Sequence, residues 1–291
     1  MNKKNDVVVI TGGSAGLGRA IAHEFAKHGA SIALLARDEE RLNDTIKEIE
    51  ELGGKAIAIP TDVANAEQVE RAAQITEEQL GPIDIWVNNA MTSVFAPFKD
   101  MTPEEFQRVN DVTYMGVVFG TMAAIKRMTA RNKGTIVQVG SALAYRSIPL
   151  QSAYCGAKHA IAGFTDSIRS ELIHDKSNIH ITMVQMPALN TPQFEWVLNK
   201  LDKKAQPVPP IFQPEVGAKA VYWSAYNRKR ELYVGLPAWK SIIGNKFIPG
   251  LLDHYLAKKG YEGQLTEEPN NHDTPNGLWE PVKGKKFTAH G

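Results

Sequence analysis

The sequence predicts a doubly wound α/β fold, a parallel sheet with helices on both faces. Short β-branched runs alternate with helical patterns over roughly the first 190 residues, the signature of βαβ units. Strand candidates such as VVVI and IALLA are apolar without alternation, so neither face is left to water. A glycine-rich turn separates the first strand from the first helix.

Val7 to Thr11 reads as the first strand and Leu17 to Lys27 as a helix ended by His28-Gly29. Ser31 to Ala36 is the second strand, followed by a charged amphipathic helix from Glu39 to Leu52 and a stop at Gly53-Gly54. Ala56 to Pro60 and Ile83 to Asn88 are the third and fourth strands, with a helix from Ala66 to Leu80 between them. Thr102 to Arg131 opens on Thr-Pro-Glu-Glu, an N-cap with proline at the first helical position, and reads as one long segment. Thr135 to Val139, a long helix from Ala153 to His174, and Ile179 to Val184 follow. After Pro187 comes a helix-like TPQFEWVLNKL and a linker-like KKAQPVPPIFQP; Glu215 to Asn227 and Leu232 to Gly235 then complete the sheet. This gives a single domain over residues 1–240, with an apolar lid over about 190–214 and an extension over 241–291. The extension holds an apolar helical segment, Trp239 to Lys259, best read as an interface. Its polar tail, carrying Trp279 and Phe287, is either disordered or docked.

The chain of 291 residues has a formal net charge of +1, which argues against a nucleic-acid surface. Its single cysteine, Cys155, fits a reducing compartment. MNKKNDVVVITGG enters a strand with no apolar leader, and no run reaches the roughly 18 apolar residues of a membrane span. The expectation is a cytoplasmic protein. No His/Cys cluster has ligand spacing, so no metal is expected.

In Thr11-Gly12-Gly13-Ser14-Ala15-Gly16-Leu17-Gly18 the backbone can approach a pyrophosphate at a helix N-terminus, where free N–H groups and the helix dipole favour anions. Gly18 allows close helix–strand packing. At the end of the second strand, where an NAD site places a carboxylate, the residues are Ala36 and Arg37. Arg37 suits a 2′-phosphate, which favours NADP(H) over NAD(H); Asp38 is the alternative, a ribose acceptor. Tyr154 and Lys158 lie four residues apart on one helix face. A phenol alone is too weak an acid at neutrality, and a neighbouring ammonium lowers its pKa toward the working range. Ser141, at a strand end, either satisfies the turn there or donates to an oxygen gaining negative charge. Cys155, about 100° around the helix from Tyr154, is a packing residue.

The TGxxxGxG spacing, Asp62-Val63, Asn88-Asn89-Ala90, Ser141, Tyr154-Cys-Gly-Ala-Lys158 and Pro187-Ala188-Leu189-Asn190-Thr191, in this order, resemble the short-chain dehydrogenase/reductase family over roughly residues 5–240. The resemblance implies a Rossmann-type NADP-dependent oxidoreductase that interconverts a carbonyl and an alcohol. By it, Gly12, Ser14, Gly16, Leu17 and Gly18 cradle the cofactor, Asp62 contacts the adenine and Val63 gives a backbone contact. The Asn88-Asn89-Ala90 run lines the cofactor, Thr191 holds the carboxamide, Lys158 binds the nicotinamide ribose, and Ser141 donates to the substrate oxygen. It also implies a homodimer or homotetramer. Read without it, the alternatives are that Asp62 only caps the helix at Ala66 and that the Asn pair are turn residues. The sequence departs from the pattern where an Asn usually holds a relay water. Alignment on Gly116 places Thr113 there, with Asn110 one turn earlier. Met91 and Ala188 stand where glycine is usual. A cofactor-binding sensor on the same fold is the competing reading. The lid residues Phe194, Trp196, Val197 and Phe212 suggest an apolar substrate, or else only pack the lid.

Overall fold

The computed structural model describes residues 5–284 and 287–291; the polar start of the chain, residues 1–4, lies outside them. Seven parallel strands form the central sheet: β1 (Val7–Thr11), β2 (Ser31–Ala36), β3 (Lys55–Pro60), β4 (Ile85–Asn88), β5 (Gly134–Ser141), β6 (Ile179–Met186) and β7 (Glu231–Tyr233). Their order is β7-β6-β5-β4-β1-β2-β3. The order reverses between β1 and β4, so the loops leaving these two strands part and open a crevice at their C-terminal ends.

The unbroken apolar run of β1 serves two cores. Val8 and Ile10 pack with Ile21, Phe25 and Val221, from helices α1 (Gly16–Ala26) and α7 (Pro214–Tyr226) on one face. Val7 and Val9 pack with Val69, Ala73 and Ala124, from α3 (Ala66–Leu80) and α5 (Gly116–Arg131) on the other. Helix α2 (Glu39–Glu51) covers the first face through Leu42 and Ile49. Each fully buried Val or Ile contributes about 1.5–3 kcal/mol, and neither face could be given up.

The segment read as one helix from Thr102 is two. Thr102 caps α4 (Pro103–Asn110) through a reciprocal bond with Glu105; a π-turn over Asp111–Met115 follows before α5 begins. The extra residue of a π-turn rotates Thr113 inward, where it is fully buried. Helix α6 (Ser152–His174) carries the Tyr–Lys pair.

The lid departs most from the sequence reading. Only Gln193–Trp196 is helical; Leu198–Asn199 pairs with Val94–Phe95, and the linker-like Lys203–Ala205 pairs with Leu265–Pro269. The 239–259 segment forms helices α8 (Leu236–Phe247) and α9 (Pro249–Tyr255), split at Pro249. Ile242 is buried, while Phe247, Leu251 and Tyr255 face outward. Residues from Gly277 return to the body, with Leu278 and Phe287 buried.

Candidate active site

The crevice is a cleft of about 510 Å³ that runs from the glycine-rich turn to Ser141, Tyr154 and Lys158. Gly12 takes φ +69°, and a Cβ there would stand 3.0 Å from the Ala90 Cα. Gly18 is tighter still: a Cβ would fall on the Gly12 carbonyl and 2.6 Å from Asn89 Nδ2. The turn is a cradle with its side chains removed, as close backbone approach to a phosphate requires. Gly12, Ser14, Gly16, Leu17, Gly18, Arg37, Asp62, Val63, Asn89, Ala90 and Thr191 all line the cleft. Their glycine cradle and cationic Arg37 fit an extended anionic dinucleotide.

Thr11, which the motif reading passed over, ties the two parted loops together. Its hydroxyl accepts from the Asn89 and Ala90 amides at 2.9 and 3.0 Å and donates toward the Val87 carbonyl at 3.4 Å. Asn89 Nδ2 donates back to the Thr11 carbonyl at 3.0 Å. Asn88 is different: it does not face the cleft. It is buried, accepting from Trp86 Nε1 at 2.8 Å and donating to Gln138 Oε1 at 2.9 Å and Thr121 Oγ1 at 3.1 Å. Its place on the cofactor is thereby corrected, because two steps along β4 from the buried Trp86 put it on the same inward face. Asn88→Ala would leave the Trp86 N–H and Gln138 oxygen without this partner, at about 1–3 kcal/mol for each buried group. The expected result is a melting temperature lower by several degrees with cofactor affinity little changed, read from thermal denaturation and a binding titration.

The cap of α3 is Asn65, which accepts from the Gln68 amide, so Asp62 is not that cap. Asp62 accepts from the Ala64 amide at 3.0 Å and pairs with Arg108 at 2.7 Å. Asp38, the alternative ribose acceptor, caps α2 and pairs with Arg41 at 2.8 Å. Arg37 donates to the main-chain carbonyls of Trp279 and Gly277 at 2.5 and 2.6 Å.

At the other end of the cleft, burial brings Lys158 down to about 8, and its Nζ donates to the Val139 carbonyl at 2.7 Å. This Nζ lies 5.5 Å from the centre of the Tyr154 ring. Burial holds the Tyr154 phenol well above its ordinary value, opposed by its hydrogen bond with Ser141. Ser141 Oγ also accepts from the Leu143 amide at 3.1 Å, which fixes the hydroxyl at the strand end. Serine, tyrosine and lysine therefore lie together at this end of the cleft. Thr113 does not join them. Its hydroxyl donates to the Thr92 carbonyl and accepts from the Thr92 amide, at 3.0 and 3.1 Å, and it does not line the cleft. Asn110 is turned to the Phe106 carbonyl at 2.9 Å. Neither side chain lines the cleft, and Thr113 instead fastens the loop after β4. Cys155 is buried against the Ile148 carbonyl, in keeping with a packing role.

A parallel sheet with its cleft at the strand-order reversal, a glycine cradle at one end and a Ser–Tyr–Lys group at the other, defines an α/β oxidoreductase. The short chain dehydrogenase family matches residues 6–201, and the chain belongs to that family. It is 36% identical over 279 residues, 95% of its length and 78% of the relative's, to an uncharacterized oxidoreductase, YxnA, of Bacillus subtilis (strain 168). It is 36% identical over 192 residues to the 3-dehydrosphinganine reductase of Danio rerio, covering 64% of this chain and 57% of that protein. A short chain dehydrogenase/reductase from Burkholderia phymatum in complex with NAD shares the fold at a TM-score of 0.79 and 20% identity. That match covers 87% of this chain and 96% of the other. No helix among the described residues is long and apolar enough to cross a membrane.

Proposed function

We propose that the protein is an NADP(H)-dependent reductase or dehydrogenase that interconverts a carbonyl and a secondary alcohol. The observation that carries this reading is the convergence of Ser141, Tyr154 and Lys158 at the far end of a cleft that begins at a glycine cradle. The nicotinamide, when bound, supplies or accepts the hydride. Tyr154 gives its phenolic proton to the carbonyl oxygen as negative charge grows there, or removes it from the alcohol in reverse. Ser141 Oγ orients the same oxygen, and the Lys158 ammonium stabilises the phenolate left behind.

The substrate end is walled by Ile148, Phe194, Val208 and Leu256, which favours an apolar or long-chain carbonyl over a phosphorylated sugar. The 3-dehydrosphinganine reductase relatives point the same way, although the chain spans only 57% of the length of the zebrafish protein. The test is NADPH consumption with a carbonyl panel that includes long-chain 3-ketones and hexose phosphates. Turnover confined to the polar members would overturn the substrate class. Cofactor binding without turnover on any member would favour a sensor.

Preference for NADP(H) rests on Arg37 at the end of β2 and the commitment of Asp38 to its helix cap. Arg37→Asp is expected to reverse the ratio of kcat/KM for NADPH over NADH by about 10²-fold or more, since it trades a charge-assisted phosphate contact for repulsion. Steady-state kinetics with both cofactors checks it. On the outer faces of α5 and α6, Met122 and Ile173 are exposed, and nothing lies within 4 Å of a Cβ built on Gly156 or Gly163. These faces support a homodimer or homotetramer, measurable by sedimentation. A cytoplasmic location remains our reading.

A further inference from the structure

Residues 277–284 and 287–291 border the cleft: Gly277, Pro281 and Val282 line it, and others reach Arg37, Gly16 and Thr191 of the cofactor site assigned above. At the adenosine end, the Gly277 amide donates to the Trp196 carbonyl of the lid at 2.8 Å. The Gly277 and Trp279 carbonyls take both terminal nitrogens of Arg37. Between them Leu278 is buried beside Val94, Val109 and Ala153, and its carbonyl accepts at 3.2 Å from Arg108, the partner of Asp62. Pro281 and Val282 form part of the cleft wall.

Further along, the Phe287 ring meets Trp196 edge-on at 4.5 Å, and the Arg41 guanidinium lies 5.2 Å from its centre. The Phe287 carbonyl accepts from Arg19 Nη1 at 2.8 Å. The Thr288 carbonyl accepts from the Gly16 amide, the first N–H of α1, at 2.9 Å. His290 pairs with Glu215 at 2.7 Å, and Gly291 lies against the Thr191 carbonyl.

We propose that residues 277–284 and 287–291 are a strap that forms the outer wall of the dinucleotide site, so that cofactor enters and leaves only when it lifts. The proposal rests on the dinucleotide reading of the cleft. Its anchors suit a reversible closure: carbonyls on guanidinium groups and a few buried apolar side chains, with little secondary structure to melt. Arg37 joins strap to cofactor. A guanidinium has five N–H donors, and the strap carbonyls occupy two of its nitrogens, leaving donors for a 2′-phosphate. A cofactor carrying that phosphate would therefore be linked to the strap through one side chain, and one lacking it would not.

Hydrogen–deuterium exchange on the full chain tests this without a mutation. NADPH is expected to slow exchange across 277–284 and 287–291 by more than NADH does at equal occupancy. In stopped-flow displacement, a chain ended after Val282 and the Phe287→Ala variant should each release NADPH roughly tenfold faster or more, the change appearing in the off-rate. Melting curves of the apo forms show whether the shortened chain is folded, and Phe287→Ala covers the case in which it is not. Saturable NADPH binding with unchanged exchange in the segment and unchanged release would overturn the strap alone. Slower release from the shortened chain would also overturn it, since the segment would then compete with cofactor. No NADPH or NADH binding by the full chain would overturn the dinucleotide reading itself.

Discussion

Tyr154→Phe is expected to lower kcat for carbonyl reduction by about 10²- to 10⁴-fold, the range that a positioned general acid contributes. At about 1.36 kcal/mol per decade this is roughly 3–5 kcal/mol of transition-state stabilisation. The substitution keeps the ring, so packing beside Ala153 and Leu278 persists and cofactor affinity should hold within a fewfold. That split between kcat and binding is the diagnostic result. Comparable losses in both, measured by turnover and fluorescence titration, would indicate that the tyrosine shapes the site and is not its acid.

The pH dependence has a defined sign. Tyr154, held high by burial, keeps its proton through neutrality but gives it up less readily, so donation in reduction depends on the charge that Lys158 holds 5.5 Å from the centre of the ring. Lys158 titrates at about 8: it is charged below that pH and neutral above it. The ammonium stabilises the phenolate produced by proton donation, so the reduction rate should fall as pH rises through about 8. A profile of kcat in the wild type, set against the residual rate of Tyr154→Phe, would show whether the fall belongs to proton transfer. A rate that climbed through the same range would remove Lys158 from this role.

Much of the fold was legible because a parallel sheet buried on both sides writes its strands as apolar runs. The succession of strands along the chain and the end of β2 at Ala36 follow from that pattern. The Ser–Tyr–Lys group was legible because helix periodicity fixes residues 154 and 158 on one face, whatever else surrounds them. Asn88 was not legible from its motif because the period of two decides its direction: Trp86 and Asn88 share the inward face, and the cleft begins one residue later. The break at Asp111–Met115 and the tethering of Thr113 depend on Thr92, which no local pattern ties to it. The segment after Gly277 was least legible. Its bonds to Arg37 and Arg19 span 240, 242 and 268 residues, and main-chain carbonyls, which every residue has, do the accepting.

Gly18→Ala is expected to have an effect as large as loss of the tyrosine, by a different route. The added Cβ would occupy the place of the Gly12 carbonyl oxygen, with Asn89 Nδ2 at 2.6 Å. Both obstacles are rigid. Gly12 sits at φ +69° in the turn, and Asn89 is held by the Thr11 carbonyl, while Thr11 itself holds the Asn89 and Ala90 amides. The first turn of α1 must therefore move away from β1, and the amides that face the cleft move with it. A displacement near 1 Å is enough to cost about 10²-fold where geometry must be kept. Gly13→Ala is the informative contrast, because its Cβ would meet the Leu34 Cδ2 at 2.8 Å, the far end of a side chain that can rotate. We expect Gly13→Ala to bind NADPH within about tenfold of wild type, and Gly18→Ala to weaken binding by about 10²-fold or more. Titration of both variants, with circular dichroism to confirm the fold, compares them. Equal affinities would mean that the tight approach of α1 to the turn is not what shapes the cofactor cradle.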